Sequence, residues 1–171
     1  MYYFISDEHY GHKNIITYSN RPFRTIEEMD ETLISNHNSL VTDKDTVIHA
    51  GDFTLFHQAG KYISQLNGHH FFIRGSHDYW LKGSNVHEIW ERNIDGHYIV
   101  VCHYAMRVWP RSHYNSWLLF GHSHGKLPPI GKQHDIGVDN NNFYPVSFKQ
   151  IITIMNQRPD NPNFIKKRRK K

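Results

Sequence analysis

The chain has 171 residues, 38% of them hydrophobic and 21% charged, and a formal net charge of +4. That length suits one domain with a sizeable core, and that composition argues against a chain disordered throughout. No apolar run approaches the ~20 residues of a membrane-spanning helix, the N-terminus lacks the basic start and cleavage site of a signal peptide, and the single cysteine, Cys102, excludes an internal disulfide, so a cytoplasmic location is the expectation.

Taken in order, the chain opens with a short apolar run of strand length, Tyr2 to Ser6, followed at once by Asp7-Glu8-His9. Thr25 with Glu28 forms a capping-box pattern, and Ile26, Met29, Leu33, Ile34 and Leu40 follow at roughly helical spacing, which predicts a helix. Thr46 to Ala50 predicts a second strand, followed by Gly51-Asp52. A helix is predicted over about 57–66, stopped by Asn67-Gly68. His69 to Arg74 predicts a third strand, followed by Ser76-His77-Asp78. Tyr98 to Cys102 runs into His103, and Trp117 to Phe120 runs into Gly121 and then His122-Ser123-His124. Ser147 with Gln150 is a second capping box, with Val146 and Ile151 placed as its hydrophobic staple, so a last helix is predicted there. Helices interleave with the earlier strands, which predicts an α/β layered fold with both sheet faces covered. The stretch after residue 98 predicts a second, more antiparallel sheet.

The domain is expected to span 1–157. Residues 158–171 are expected to form a basic, disordered tail, because the last six are all Lys or Arg. Setting those six aside takes the net charge from +4 to −2, so the body is mildly acidic. Such a tail attracts nucleic acid or anionic surfaces, or simply solubilises the end.

The 15 histidines are scattered rather than run together as a tag. Two histidines after one strand make an ordinary polar turn. Five strands that each deliver metal-ligand or acid/base residues at their carboxyl ends are another matter, since that is the edge where α/β sheets bind ligands. Asp7, His9, Asp52, His103, His122 and His124 are the candidate ligands. Six are too many for one catalytic ion and suit two ions that share a bridging carboxylate. Two ions ~3.5–4 Å apart clamp the attacking and leaving oxygens of a phosphoryl transfer, with a bridging hydroxide attacking phosphorus in line. Mixed imidazole and carboxylate donors favour Mn²⁺, Fe²⁺, Zn²⁺ or Ni²⁺ over Mg²⁺ or Ca²⁺.

The fragments "SDEH", "AGDF", "RGSHD", "CHY" and "FGHSHG" resemble, in order, the five motifs of the calcineurin-like metallophosphoesterases, D-x-H, G-D, G-N-H-D, H and G-H-x-H. The flanking "GHKNI" and "CHYAMRVWPRSHY" are similar to the small phosphoesterases of bacteria and their phages. The resemblance implies a single-domain, four-layer α/β/β/α sandwich with a dimetal site at one rim, and Mn²⁺ foremost among the metals. It implies that Asp7, His9 and His124 bind one ion, that His103 and His122 bind the other, and that Asp52 bridges them. It implies that His77 serves the leaving group and that Asp78 orients His77. Ser76 stands where the motif has the Asn that gives the second ion an amide oxygen, so that ion is expected to be held more weakly.

His12, Arg21, Arg74 and Arg107 are candidate phosphate contacts, each with an ordinary surface role as the alternative. Tyr79, Trp80, Trp109, Tyr114 and Trp117 are candidates for stacking on a base, core packing being the alternative. Cys102 is read as an inert core thiol, and His134 and Asp139 are given no chemistry. The function expected is a dimetal phosphodiesterase acting on nucleotides or nucleic acid, because a poor alkoxide leaving group needs an acid such as His77. The alternatives are a phosphomonoesterase or pyrophosphatase with the same metals, or an interaction module on the same fold, as in one retromer subunit.

Overall fold

In the computed structural model, which describes residues 1–55, 57–83 and 86–166, two four-stranded sheets pack face to face. The first holds β1 (Tyr2–Ile5), β2 (Thr46–His49), β3 (His69–Phe72) and β8 (Val146–Ser147) in the order β3-β2-β1-β8, with β8 antiparallel. The second holds β4 (Ile89–Ile94), β5 (His97–Cys102), β6 (Trp117–Phe120) and β7 (Gln133–Asp135) in sequence order. Only its β4–β5 hairpin is antiparallel, so the second sheet is less antiparallel than the sequence predicts.

The period-two alternation of the strands builds the layers. Phe4, Ile48, Ile99, Val101, Trp117 and Leu119 point between the sheets. Tyr3, Ile5 and Val47 point to the outer face of the first sheet, where they meet Met29 and Leu33 of α2 (Ile26–Leu40) and Tyr62 of α3 (Ala59–Ile63). Val100, Cys102, Leu118 and Phe120 form the outer face of the second sheet. That face is covered by Ala105, Met106 and Trp109 from the loop after β5, so among the described residues the fourth layer is loop rather than helix. The last helix, α4 (Phe148–Gln157), sends Phe148, Ile151 and Met155 into the core between the sheets.

Both predicted helix starts are present. Ser147 and Gln150 form the full reciprocal box. At α2 the box is half made: Thr25 accepts from the Glu28 N–H, while the Glu28 carboxylate accepts from the N–H of Arg24. The middle helix is shorter than predicted. After Ile63 the chain tightens, with the N–H of Leu66 donating to Ile63 three residues back, and Gly60 inside the segment lowers its propensity. A short α1 (Lys13–Tyr18) has no side-chain cap and left no capping signal in the sequence. The edge strand β4 carries exposed, charged residues and so lacks an apolar run, and it was not predicted. Asp95 and Gly96 both have positive φ, 48° and 84°, as an Asp-Gly hairpin of this type requires.

The expected tail begins too early. Asn161 is buried, donates to the carbonyls of Ser112 and Ser116 and accepts from the N–H of Lys132, so the chain is fastened to the body as far as Ile165. Residues 167–171, the rest of that tail, lie outside the described residues. No helix of the described residues is long and apolar enough to cross a membrane.

Candidate metal centre

All five strand ends named above converge on one rim. The segments after β1 and β2 stay laced beyond the strands, with the N–H of Asp7 donating to Gly51 at 3.0 Å and that of His9 to Asp52 at 3.0 Å. Two triads result: Asp7, His9 and His124, and Asp52, His103 and His122, each with ligand atoms within 4.8 Å of one another. Asp52 lies between them. Its Oδ2 is 3.3 Å from Nε2 of His103 and 3.8 Å from Nε2 of His9. These are the six ligand candidates read from the sequence, in the grouping that the motif resemblance implies.

The backbone at the rim is strained. Asp7, His9, Asp52, His122 and His124 all have positive φ, from 47° to 66°, which side chains other than glycine's rarely adopt. Such residues cost ~1–3 kcal/mol each and persist only where the surroundings hold them. The holding groups are visible. Asp7 accepts from the N–H of His122 at 2.9 Å. Buried Arg21 donates to the carbonyls of Asp7 at 2.6 Å and Glu8 at 3.0 Å, and grips Asp139 through Nε and Nη2 at 2.8 and 2.9 Å. Asp139 in turn holds Nδ1 of His124 at 2.7 Å. Glycine is needed where the loops touch: a Cβ at Gly75 would collide with Asp52, and one at Gly121 with Ser6 and Asp7.

The donor set fits divalent ions. Nε2 of His9 and of His103 are buried with no hydrogen-bond partner among the described residues, and both face the Asp52 carboxylate. A buried orphan nitrogen is costly unless something binds it. His103 Nδ1 is engaged by the Ala50 carbonyl at 2.9 Å and His124 Nδ1 by Asp139, so each ring keeps Nε2 for another partner. Burial pushes the Asp7 carboxyl up to about 7, against the pull of His103 and His124. Burial works the same way on Asp52, but the neighbouring His103 imidazole and the backbone N–H of His77, at 2.8 Å, hold it ionised, well below the usual range. Burial pushes His9 well down, which leaves its lone pair free.

Other expected roles change. Asp78 does not hold the His77 ring. It is buried and accepts from the N–H of Asp52 (2.7 Å), Phe53 (2.9 Å) and Gly75 (2.8 Å) and from Nε1 of Trp80 (3.0 Å). Four close donors take its lone pairs, so it shapes the loop that carries Asp52. The Ser76 hydroxyl donates to Asp52, at 3.0 Å from Oδ2 and 3.2 Å from Oδ1. His77 has a 41% exposed side chain with Nε2 4.0 Å from Asp52, and its ring lies 5.5 Å from that of His9. His12 bonds Nδ1 of His9 at 3.3 Å. Arg74 lines a cavity with Ser76 and His103. Arg107 lines a different depression with Met106, Val108, Ile130 and Pro162. Arg21 is unavailable to phosphate, because its guanidinium is spent inside the protein. Trp109 and Trp117 are core, and Trp80 is tied to Asp78, while Tyr79 and Tyr114 stay exposed. Asp139, which the sequence offers only as a residue holding a late strand near the site, binds Arg21 and His124, and its spacing to Arg21, 118 residues away, left no local signal of that role.

The chain is 35% identical over 164 residues to an uncharacterized protein of Methanocaldococcus jannaschii, with 90% of each chain covered. It belongs to that protein's family. No family model matches the chain. The crystal structure of a protein of unknown function from Aquifex aeolicus has the same fold, with a TM-score of 0.68, 22% identity, and coverage of 90% of this chain and 98% of that one. A mutant of Vps29 from Entamoeba histolytica is a looser match, with a TM-score of 0.48, 15% identity, and coverage of 80% and 72%.

Proposed function

We propose that the chain is a phosphoesterase of the calcineurin-like metallophosphoesterase type that uses two divalent ions and acts on phosphodiesters. The observation that carries this is the meeting of two three-ligand triads at Asp52, with two buried imidazole nitrogens left free toward it. Asp7, His9 and His124 would hold one ion, His103 and His122 the other, and Asp52 both. Bound ions would supply Lewis-acid polarisation of the phosphate and an activated water. The chain's own residues do the rest. Arg21 and Asp139 hold the first triad in its strained backbone. Asp78 holds the loop of Asp52. His77, exposed at the rim, would give a proton to a departing alkoxide.

The test is turnover of bis(p-nitrophenyl) phosphate and p-nitrophenyl phosphate with Mn²⁺, Fe²⁺, Zn²⁺ or Ni²⁺. Metal-dependent hydrolysis with the diester preferred is expected. Preference for the monoester would make it a phosphomonoesterase. No hydrolysis with any of the four ions would favour a second reading, an interaction module on this fold. One observation supports that reading: the Ser76 hydroxyl is turned to Asp52, so the second triad lacks the amide oxygen of the motif.

A further inference from the structure

We propose that two adjoining depressions beside the second triad form one groove for single-stranded nucleic acid, with Arg74 between them as a phosphate anchor. The proposal rests on the phosphodiester reading above. The first depression, about 440 Å³, includes Ser76 and His103 of the centre and is walled by Tyr104, Glu88, Ile89 and Met106. The second, about 530 Å³, is lined by His57, Tyr79, Leu81, Lys82 and Val86. Arg74 lines both, so the two depressions have this residue in common.

Charge and shape alternate along this path. At the centre, ions would take a phosphate. In the first depression Glu88 repels phosphate, while its carboxylate accepts from the amino or imino N–H of a base. There Tyr104 is 47% exposed, with its ring 4.8 Å from those of His103 and His122, an aromatic platform beside the reacting position. Next comes Arg74, and then Lys82 with exposed Tyr79, a second cation and a second platform. Among the described residues neither Arg74 nor Lys82 is in an ion pair, so both charges face solvent unneutralised. Cations that track a backbone, interleaved with aromatics that stack bases, are how proteins hold single strands. A duplex keeps its bases stacked on each other and offers none to Tyr79 or Tyr104. A mononucleotide diester fills the first depression and leaves the second unused. The chain that uses both has at least two nucleotides beyond the reacting phosphate.

The experiment measures binding of a fluorescein-labelled phosphorothioate pentadeoxyadenylate to the full chain, by anisotropy over a range of salt, for wild type, Arg74→Ala, Lys82→Ala and Tyr79→Ala. The basic C-terminus is common to all four, so differences belong to the groove. Tyr79→Ala is expected to weaken binding about tenfold through lost stacking. Each cation removed is expected to weaken it and to lower the slope of log affinity against log salt by about 0.7. Equal affinity and equal slope in all four proteins would overturn the groove. The parent reading fails separately. Oligonucleotide binding as expected with no hydrolysis of bis(p-nitrophenyl) phosphate removes the phosphodiesterase and keeps the groove. Hydrolysis of that small diester with variants that bind like wild type does the reverse.

Discussion

Two groups of histidines lie on either side of Glu8, and they are built in opposite ways. His9, His103, His122 and His124 sit at strand ends on the rim, two of them with buried nitrogens free toward Asp52. His49 and His70, on the first sheet, meet His37 of α2, and their nitrogens are mostly used. His49 bonds Glu8 at 2.5 Å and His70 at 2.9 Å, His70 reaches the Leu66 carbonyl at 3.3 Å, and His37 reaches that of Asn67 at 2.9 Å. Of these three rings only His37 keeps an orphan, Nδ1. Burial pushes His49 down to about 3 and Glu8 up to about 8, so at neutral pH the pair shares one proton as neutral partners. Histidines in a cluster are therefore not a metal site by number. Free nitrogens aimed at a shared carboxylate are what distinguish the rim.

The largest expected effect comes from removing that carboxylate. Asp52→Ala should leave the rim histidines as unable to hold two ions as the buried ones, with hydrolysis reduced by more than the ~10–100-fold that an outer partner is worth. Elemental analysis that still finds two ions per chain would contradict the shared-ligand assignment.

Asp139→Asn separates the two triads. It removes the charge that holds His124 and leaves Asp52, His103 and His122 untouched, so one ion should weaken by ~10–100-fold and the other should not. Calorimetric metal titration reads both steps. Equal weakening of both ions would show that Asp139 serves the fold rather than the first triad.

Ser76→Asn acts on the other triad. An amide reaches one bond further than the hydroxyl that now donates to Asp52, and it should tighten the second ion by about tenfold, the low end of what a supporting group is worth. Turnover against Mn²⁺ concentration should rise earlier in the variant, and excess Mn²⁺ should rescue the serine form more, by mass action. Superimposable curves would mean that Ser76 already does the work of the amide.

The smallest effect concerns the buried group. Burial lowers His37 and His70 to about 4 and His49 to about 3, against ~6.5 in an unfolded chain. Between those values the unfolded chain binds more protons, so the stability these rings contribute is whole above ~6.5 and is lost as pH falls toward 4. His70→Phe removes one such ring. Urea midpoints should move in favour of the variant as pH is lowered from 7 to 4, and a pH-independent difference would mean that His70 is not buried neutral.

The sequence by itself determined the parts that depend on neighbours along the chain. Five strands read from short apolar runs end where their ligands begin, because a strand's carboxyl end delivers the next residues to the sheet rim. Two helix starts were legible in Thr25 and Ser147, since a cap is a local hydrogen bond. Only the tertiary structure decided the rest. It turned Asp78 from His77 to the amides of Asp52, Phe53 and Gly75, buried Arg21 against Asp139, and covered the second sheet with a loop. Each of these joins residues far apart in sequence or depends on which lone pair is nearest in space. Periodicity and spacing report which face a residue takes, and they are silent on which partner meets it there.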